Sequence, residues 1–151
     1  MQISARADYA VRAMLTLAAS TTPTATAQAL ADEQRLPHKF LEAILADLRR
    51  AGLVRSQRGA EGGYALARAA DTISLGDVIR AVEGPLAGVR GVRPEQTAYQ
   101  GSAQHLQLAW VAARAALRSV VDELSLADIL TGALPAHVRA LVDSPGAWDP
   151  R

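Results

Sequence analysis

The chain has 151 residues, half of them hydrophobic but only 4% aromatic, and a net charge of +1. That is enough apolar material for one compact core, or for a small domain with an added arm. The sequence holds no cysteine, which excludes disulfides, thiolate zinc sites, cysteine-held iron–sulfur clusters and cysteine nucleophiles.

Residues 4–19 carry a helical pattern, with Tyr9, Ala10, Ala13, Met14 and Leu17 on one face. Arg6 and Asp8 interrupt the amino terminus, no apolar run is long enough to span a bilayer, and no secretion signal is read. The cytoplasm is therefore the expected compartment, with no membrane partner. Ser20 to Pro23 break the first helix. Thr26 can cap a short second helix from Ala27 to Ala31, and Asp32 to Arg35 form a turn. Pro37 suits the first position of a third helix. Its inward face is Phe40, Leu41, Ile44, Leu45 and Leu48; His38, Lys39, Glu42, Ala43 and Asp47 face outward. Gly52 closes it as a left-handed cap.

Leu53 to Gln57 and Tyr64 to Arg68 read as two short strands around a tip made of Gly59, Gly62 and Gly63. Arg49, Arg50, Arg55 and Arg58 fall within ten residues with no acid among them. Residues 1–68 hold nine basic and six acidic groups, against seven and nine in residues 69–151. The basic excess thus lies with a helix followed by a glycine-tipped hairpin, the layout of a winged helix-turn-helix. Double-stranded DNA is the first partner expected; a solvated arginine-rich surface is the plainer alternative.

Further along, Ile73-Ser74-Leu75-Gly76-Asp77-Val78 and Leu124-Ser125-Leu126-Ala127-Asp128-Ile129 share one helix-start pattern, Ser capping and Asp returning the bond. Residues 84–101 form a glycine- and proline-rich loop. Leu86, Val89, Val92 and Tyr99 within it either line a small-molecule pocket or tuck onto the core. A helix from about Ser102 to Leu124 follows. Ala103, Leu106, Trp110, Ala113, Leu117, Val120 and Leu124 recur at three and four, a seam about 34 Å long. Two copies of the chain can bury that seam against each other; packing on its own domain is the alternative. Residues 133–151 hold three prolines and read as a loosely attached tail. The expected fold is mainly α with a small two-stranded β wing: a winged helix-turn-helix domain over 1–83, a loop over 84–101, and a dimerisation helix with a following short helix over 102–132.

No catalytic constellation is visible. His38, His105 and His137 have no metal-ligand spacing, and there is no nucleophile elbow, phosphate loop or dinucleotide fingerprint. No enzyme activity, metal or cofactor is expected.

The amino-terminal run Met1 to Met14 resembles the bacterial regulator family that includes IscR, NsrR and CymR. Phe40-Leu41-Glu42, Leu48-Arg49-Arg50-Ala51-Gly52-Leu53-Val54 and Arg58-Gly59-Ala60-Glu61-Gly62-Gly63-Tyr64 continue the resemblance, which extends through about residue 132. It implies a homodimeric winged helix-turn-helix transcription regulator, usually a repressor on a partly palindromic operator. Carried over by position, it implies that Pro37, His38, Lys39 and Glu42 face bases and that Arg58, beside Gly59, enters the minor groove. Arg49, Arg50 and Arg55 are read as phosphate contacts. Glu42 can accept from a cytosine amino group or pair with Lys39. Cluster-sensing members carry three cysteines in the loop matching 84–101 and the start of the next helix; this chain has none, so its signal is of another kind, a small molecule or a protein, or it acts without one. A winged module that has lost DNA binding and acts through protein contacts is the competing reading.

Overall fold

The computed structural model describes residues 2–150 and is mainly helical. Helix α1 (Ala5–Ala19) starts where the Ser4 hydroxyl accepts from the Ala7 amide. Its buried face is Ala7, Ala10, Ala13, Met14, Thr16 and Leu17, mostly small side chains that let neighbouring helices approach closely. Helix α2 (Ala27–Gln34) is capped by Thr26 and ends at Arg35 in the left-handed conformation. It runs three residues past the expected stop at Ala31. The polar residues there find partners on α1: the buried Thr16 hydroxyl donates to Glu33 and accepts from Gln34, which also takes a bond from Arg12.

Helix α3 (His38–Arg50) buries Leu41, Ile44, Leu45 and Leu48. Pro37 stands just outside it as the cap residue rather than as its first turn. Phe40, expected in the core, is instead 40% exposed and meets Tyr9 edge-on at 5.8 Å. It sits in the first turn of the helix. The helix ends in a Schellman motif, with Leu53 N–H on the Leu48 carbonyl and Gly52 N–H on that of Arg49. This turns the chain directly into strand β1 (Val54–Gln57), paired antiparallel with β2 (Gly63–Leu66) in the register Val54 to Leu66.

Helix α4 (Leu75–Glu83) and helix α6 (Leu126–Thr131) both begin with capping boxes, Ser74 with Asp77 and Ser125 with Asp128. The two are joined. Leu75 N–H donates to the Leu124 carbonyl and Leu126 N–H to that of Ile73, so both helix starts share one antiparallel bridge. Between them, residues 84–101 hold a tight turn linking Val89 and Val92 and a 3₁₀ turn over Pro94–Gln96.

Helix α5 (Leu106–Val121) is shorter than the 23 residues the seam suggests: residues 101–103 form a 3₁₀ turn around Gly101, and Asp122 ends the helix. It therefore spans about 24 Å. Leu124 lies beyond it, 7% exposed and packed within its own chain, so the expected seam stops at Val120. The segment 133–151, expected to be a loose tail, forms helix α7 (Ala136–Val142). Val138 is buried, and His137 bonds the Ser119 carbonyl at 2.8 Å, which fastens α7 to the end of α5.

The core is aliphatic throughout, with Met14, Leu30, Leu41, Ile44, Leu45, Leu48, Ile73 and Leu126 nearly or fully inaccessible. Helix α1 is its centre, touching α2, α3, α4, α6 and β2. Each such leucine or isoleucine contributes about 1.5–3 kcal/mol through burial, which is how so few aromatics suffice.

Candidate nucleic-acid interface

Helices α2 and α3 meet across a three-residue link, and α3 runs into the wing. Four groups hold α3 against α1 and α4. Arg6 of α1 donates to the Val82 carbonyl of α4 at 3.1 Å and pairs with Asp47 of α3. Arg50 also binds Asp47, at 2.5 Å. These two arginines hold the Asp47 carboxyl below its ordinary range, the Arg50 hydrogen bond being the largest cause, against an opposing push from burial. Arg50 is thus occupied within the protein, not simply displayed to phosphate. Arg49 likewise donates to the Ser56 hydroxyl at 3.2 Å, bracing strand β1 against α3.

The wing is anchored at a second place. Ala25 and Tyr64 exchange both backbone bonds, at 2.9 and 2.7 Å, so the α1–α2 link forms a third, single-residue edge of the sheet. The Thr24 hydroxyl donates to the Glu61 carbonyl at 2.9 Å. Gly63 makes the approach feasible: its φ is +149°, and a Cβ there would lie 2.6 Å from the Ala25 oxygen. Neither Thr24 nor Ala25 was singled out from the sequence; the threonine-rich run 21–26 was the available signal.

Lys39, in the first turn of α3, and Arg55 and Arg58, on the wing, are exposed. None of the three has a side-chain hydrogen bond or ion pair among the described residues. Gly59, at the wing tip, is exposed with φ +104°. His38 lies beside Glu42, 3.9 Å between Nδ1 and Oε1. The neighbour of Glu42 is therefore His38 rather than Lys39. Pro37 is exposed just before the helix. Free cations thus stand at the start of the helix and on the hairpin, held on a braced frame.

Of the four loop residues considered as a pocket, Leu86 is buried and is among those that line a cavity of about 440 Å³ between α4 and α5. Val89 pairs with Val92, which remains exposed, and Tyr99 lies under the Arg90 guanidinium at 5.7 Å. Four of the nine residues lining that cavity are arginines. On α5, Leu106 and Trp110 are 37% and 40% exposed, Ala113 is exposed, and Leu117 and Val120 are half-buried. The seam therefore lies at the surface of the single chain.

A helix-turn-helix leading into an antiparallel hairpin defines a winged-helix DNA-binding regulator. The chain belongs to the Rrf2 family, described as an iron-dependent transcriptional regulator, which matches residues 3–132. A Mycobacterium tuberculosis protein classed as an HTH-type transcriptional regulator is 48% identical over 95% of this chain and 89% of its own length. CymR of Bacillus subtilis is 35% identical over 85% of this chain and 89% of its own. The solved structure of that CymR, titled the global cysteine regulator, aligns over 87% of this chain and 98% of its own with a TM-score of 0.72. The T. potens IscR structure aligns over 88% of each chain with a TM-score of 0.70 at 34% identity. The function at this level is DNA-binding transcription regulation, and family membership sets the chain among regulators rather than enzymes.

The residues do not fit an iron–sulfur cluster. The chain supplies no thiolate, no group of three or more metal-binding side chains gathers among the described residues, and the cavity beside the 84–101 loop carries four arginines against two carboxylates. No helix among the described residues is long and apolar enough to cross a membrane.

Proposed function

We propose that this protein is a homodimeric, cluster-free repressor that binds a partly palindromic operator. Lys39, Arg55 and Arg58 carry the proposal: three exposed cations with no internal carboxylate, on the two elements that a winged helix presents to a duplex. In this reading α3 enters the major groove with its amino-terminal end foremost. Pro37, His38, Lys39 and Glu42 lie nearest the bases. Arg58 and the Gly59 backbone reach the minor groove, where a narrow A·T-rich segment concentrates negative potential. Arg55 neutralises phosphate. Arg49 and Arg50 serve chiefly to set the helix and wing, with spare N–H groups for the backbone of the duplex.

Dimerisation proceeds through α5. Leu106, Trp110, Ala113, Leu117 and Val120 supply an apolar stripe that a symmetric partner can cover. The test is a gel-shift titration at fixed salt on DNA selected for binding. Arg58→Ala is expected to weaken binding by about 1–3 kcal/mol. An unchanged midpoint removes the wing from the interface. Failure of the unaltered protein to select any sequence returns the fold to a protein-contact role.

A further inference from the structure

The cavity between α4, the 84–101 loop and α5 holds about 440 Å³. Arg80, Arg93, Arg114 and Arg118 line it with only Glu95 and Asp122 as carboxylates. The ion pairs present account for part of this charge. Arg80 binds Asp122 at 2.6 Å and Asp77, outside the lining, at 3.0 Å. Arg114 binds Glu95 at 2.6 Å, and Arg118 gives only its Nε to Asp122, at 2.9 Å. The Arg93 guanidinium has no hydrogen bond or ion pair among the described residues. The Arg118 terminal nitrogens are also without one. Four arginines gathered in a concave site with two carboxylates among its lining leave a positive excess there and suit a planar, bidentate oxyanion.

We propose that this cavity binds a compact oxyanion bearing two negative charges, held by Arg93, Arg114 and Arg118. A dicarboxylate and an inorganic phosphate or sulfate share the chemistry that these forks recognise. Such a ligand competes with Asp122 for Arg118. Asp122 in turn holds Arg80 on α4, and α4 packs on α3. Occupancy therefore alters how α5 is set against the winged unit. That makes the oxyanion an effector of DNA binding, a step that rests on the dimeric reading above.

Calorimetric titration of the full chain, without DNA, tests the site independently of that reading. The probes are succinate and inorganic phosphate, with sodium chloride at matched ionic strength and dimethyl succinate as the neutral control. Saturable heat is expected from at least one dianion and none from the controls. Whichever dianion binds identifies the source, carboxylate or inorganic oxyanion. Arg93→Gln, which breaks no ion pair, is expected to keep the melting temperature and weaken binding about tenfold, the loss of one charge-assisted bond. Arg118→Gln is the second variant and is expected to weaken binding likewise. No saturable heat from either dianion, or affinity unchanged in both variants, overturns the site. With the site established, a gel shift at saturating dianion is expected to move the DNA midpoint about fivefold or more; an unmoved midpoint overturns the effector role and leaves the site.

Discussion

Arg6, near the start of the first helix, is ion-paired to Asp47, near the end of the recognition helix. The same guanidinium holds the Val82 carbonyl, so one side chain ties α1, α3 and α4. Helix α3 contributes its apolar face to the core but meets the wing through few polar bonds, and Asp47 is where its orientation is fixed. Arg6→Ala leaves a half-buried carboxylate with Arg50 alone. It is expected to lower stability by about 1–3 kcal/mol in urea unfolding. Asp47→Asn is expected to lower stability as well, because the amide keeps one oxygen to accept from one arginine and turns an NH2 donor toward the other.

Acid is expected to act on the same kind of contact. Burial pushes the Asp122 carboxyl up, but hydrogen bonds from Arg80 and Arg118 outweigh it and hold the group below its ordinary range. Asp77 behaves alike, its burial outweighed by the Ser74 amide and Arg80. Asp47 is lowered by Arg50 first. Each group binds its proton less tightly in the folded chain than in the unfolded one, where aspartate titrates near ~3.9. The stabilisation is therefore complete above that value and lost as pH falls through the lower folded values. Melting temperature is expected to hold from about pH 6 to 5 with respect to these groups and to fall below about pH 4. Asp122→Asn is expected to melt lower at neutral pH and to decline less steeply in acid; a decline as steep as the parent's contradicts the assignment.

Gly63 predicts a separate effect on the wing. An added methyl would meet the Ala25 carbonyl at 2.6 Å, on a backbone that side chains rarely adopt. Gly63→Ala is expected to cost about 1–3 kcal/mol and to open the Ala25–Tyr64 pair. Hydrogen exchange at the Tyr64 amide reads this directly: faster exchange is expected, and exchange at the parent rate contradicts the anchoring role.

Trp110 tests the dimer. Trp110 is 40% exposed, beside Leu106, on a helix whose apolar stripe is only partly covered within the single chain. Trp110→Arg is expected to yield monomers by analytical ultracentrifugation while keeping the helical content. A variant that still sediments as a dimer moves the interface elsewhere.

The elements themselves were largely legible, because their signals are local. Ser74 with Asp77 and Ser125 with Asp128 announce helix starts three residues apart, and both boxes form. The glycines and alternating residues of 53–66 specify the hairpin, and the apolar spacing of α3 specifies its buried face. What connects distant segments was not legible. Nothing in the sequence says that the two capping boxes share a bridge, or that Arg6 reaches Asp47 across forty-one positions. The end of α5 was not legible because Leu124 continues the apolar spacing although the helix stops at Val121 and Leu124 is buried within its own chain. The cavity beside the 84–101 loop was not legible for a related reason. The loop's own Leu86 and Arg93 meet Arg80 of α4 and Arg114 and Arg118 of α5, which are neighbours only in the fold. At the interface, the charges of Lys39, Arg55 and Arg58 were legible; the internal engagement of Arg49 and Arg50 was not.

Hydroxyl-radical footprinting of the purified protein on genomic DNA selected for binding tests the central claim most directly. A symmetric dimer with two recognition helices and two wings is expected to protect two related half-sites about one helical turn apart, with minor-groove protection flanking each. Protection of a single unrepeated site, or none at salt that preserves the folded protein, contradicts it.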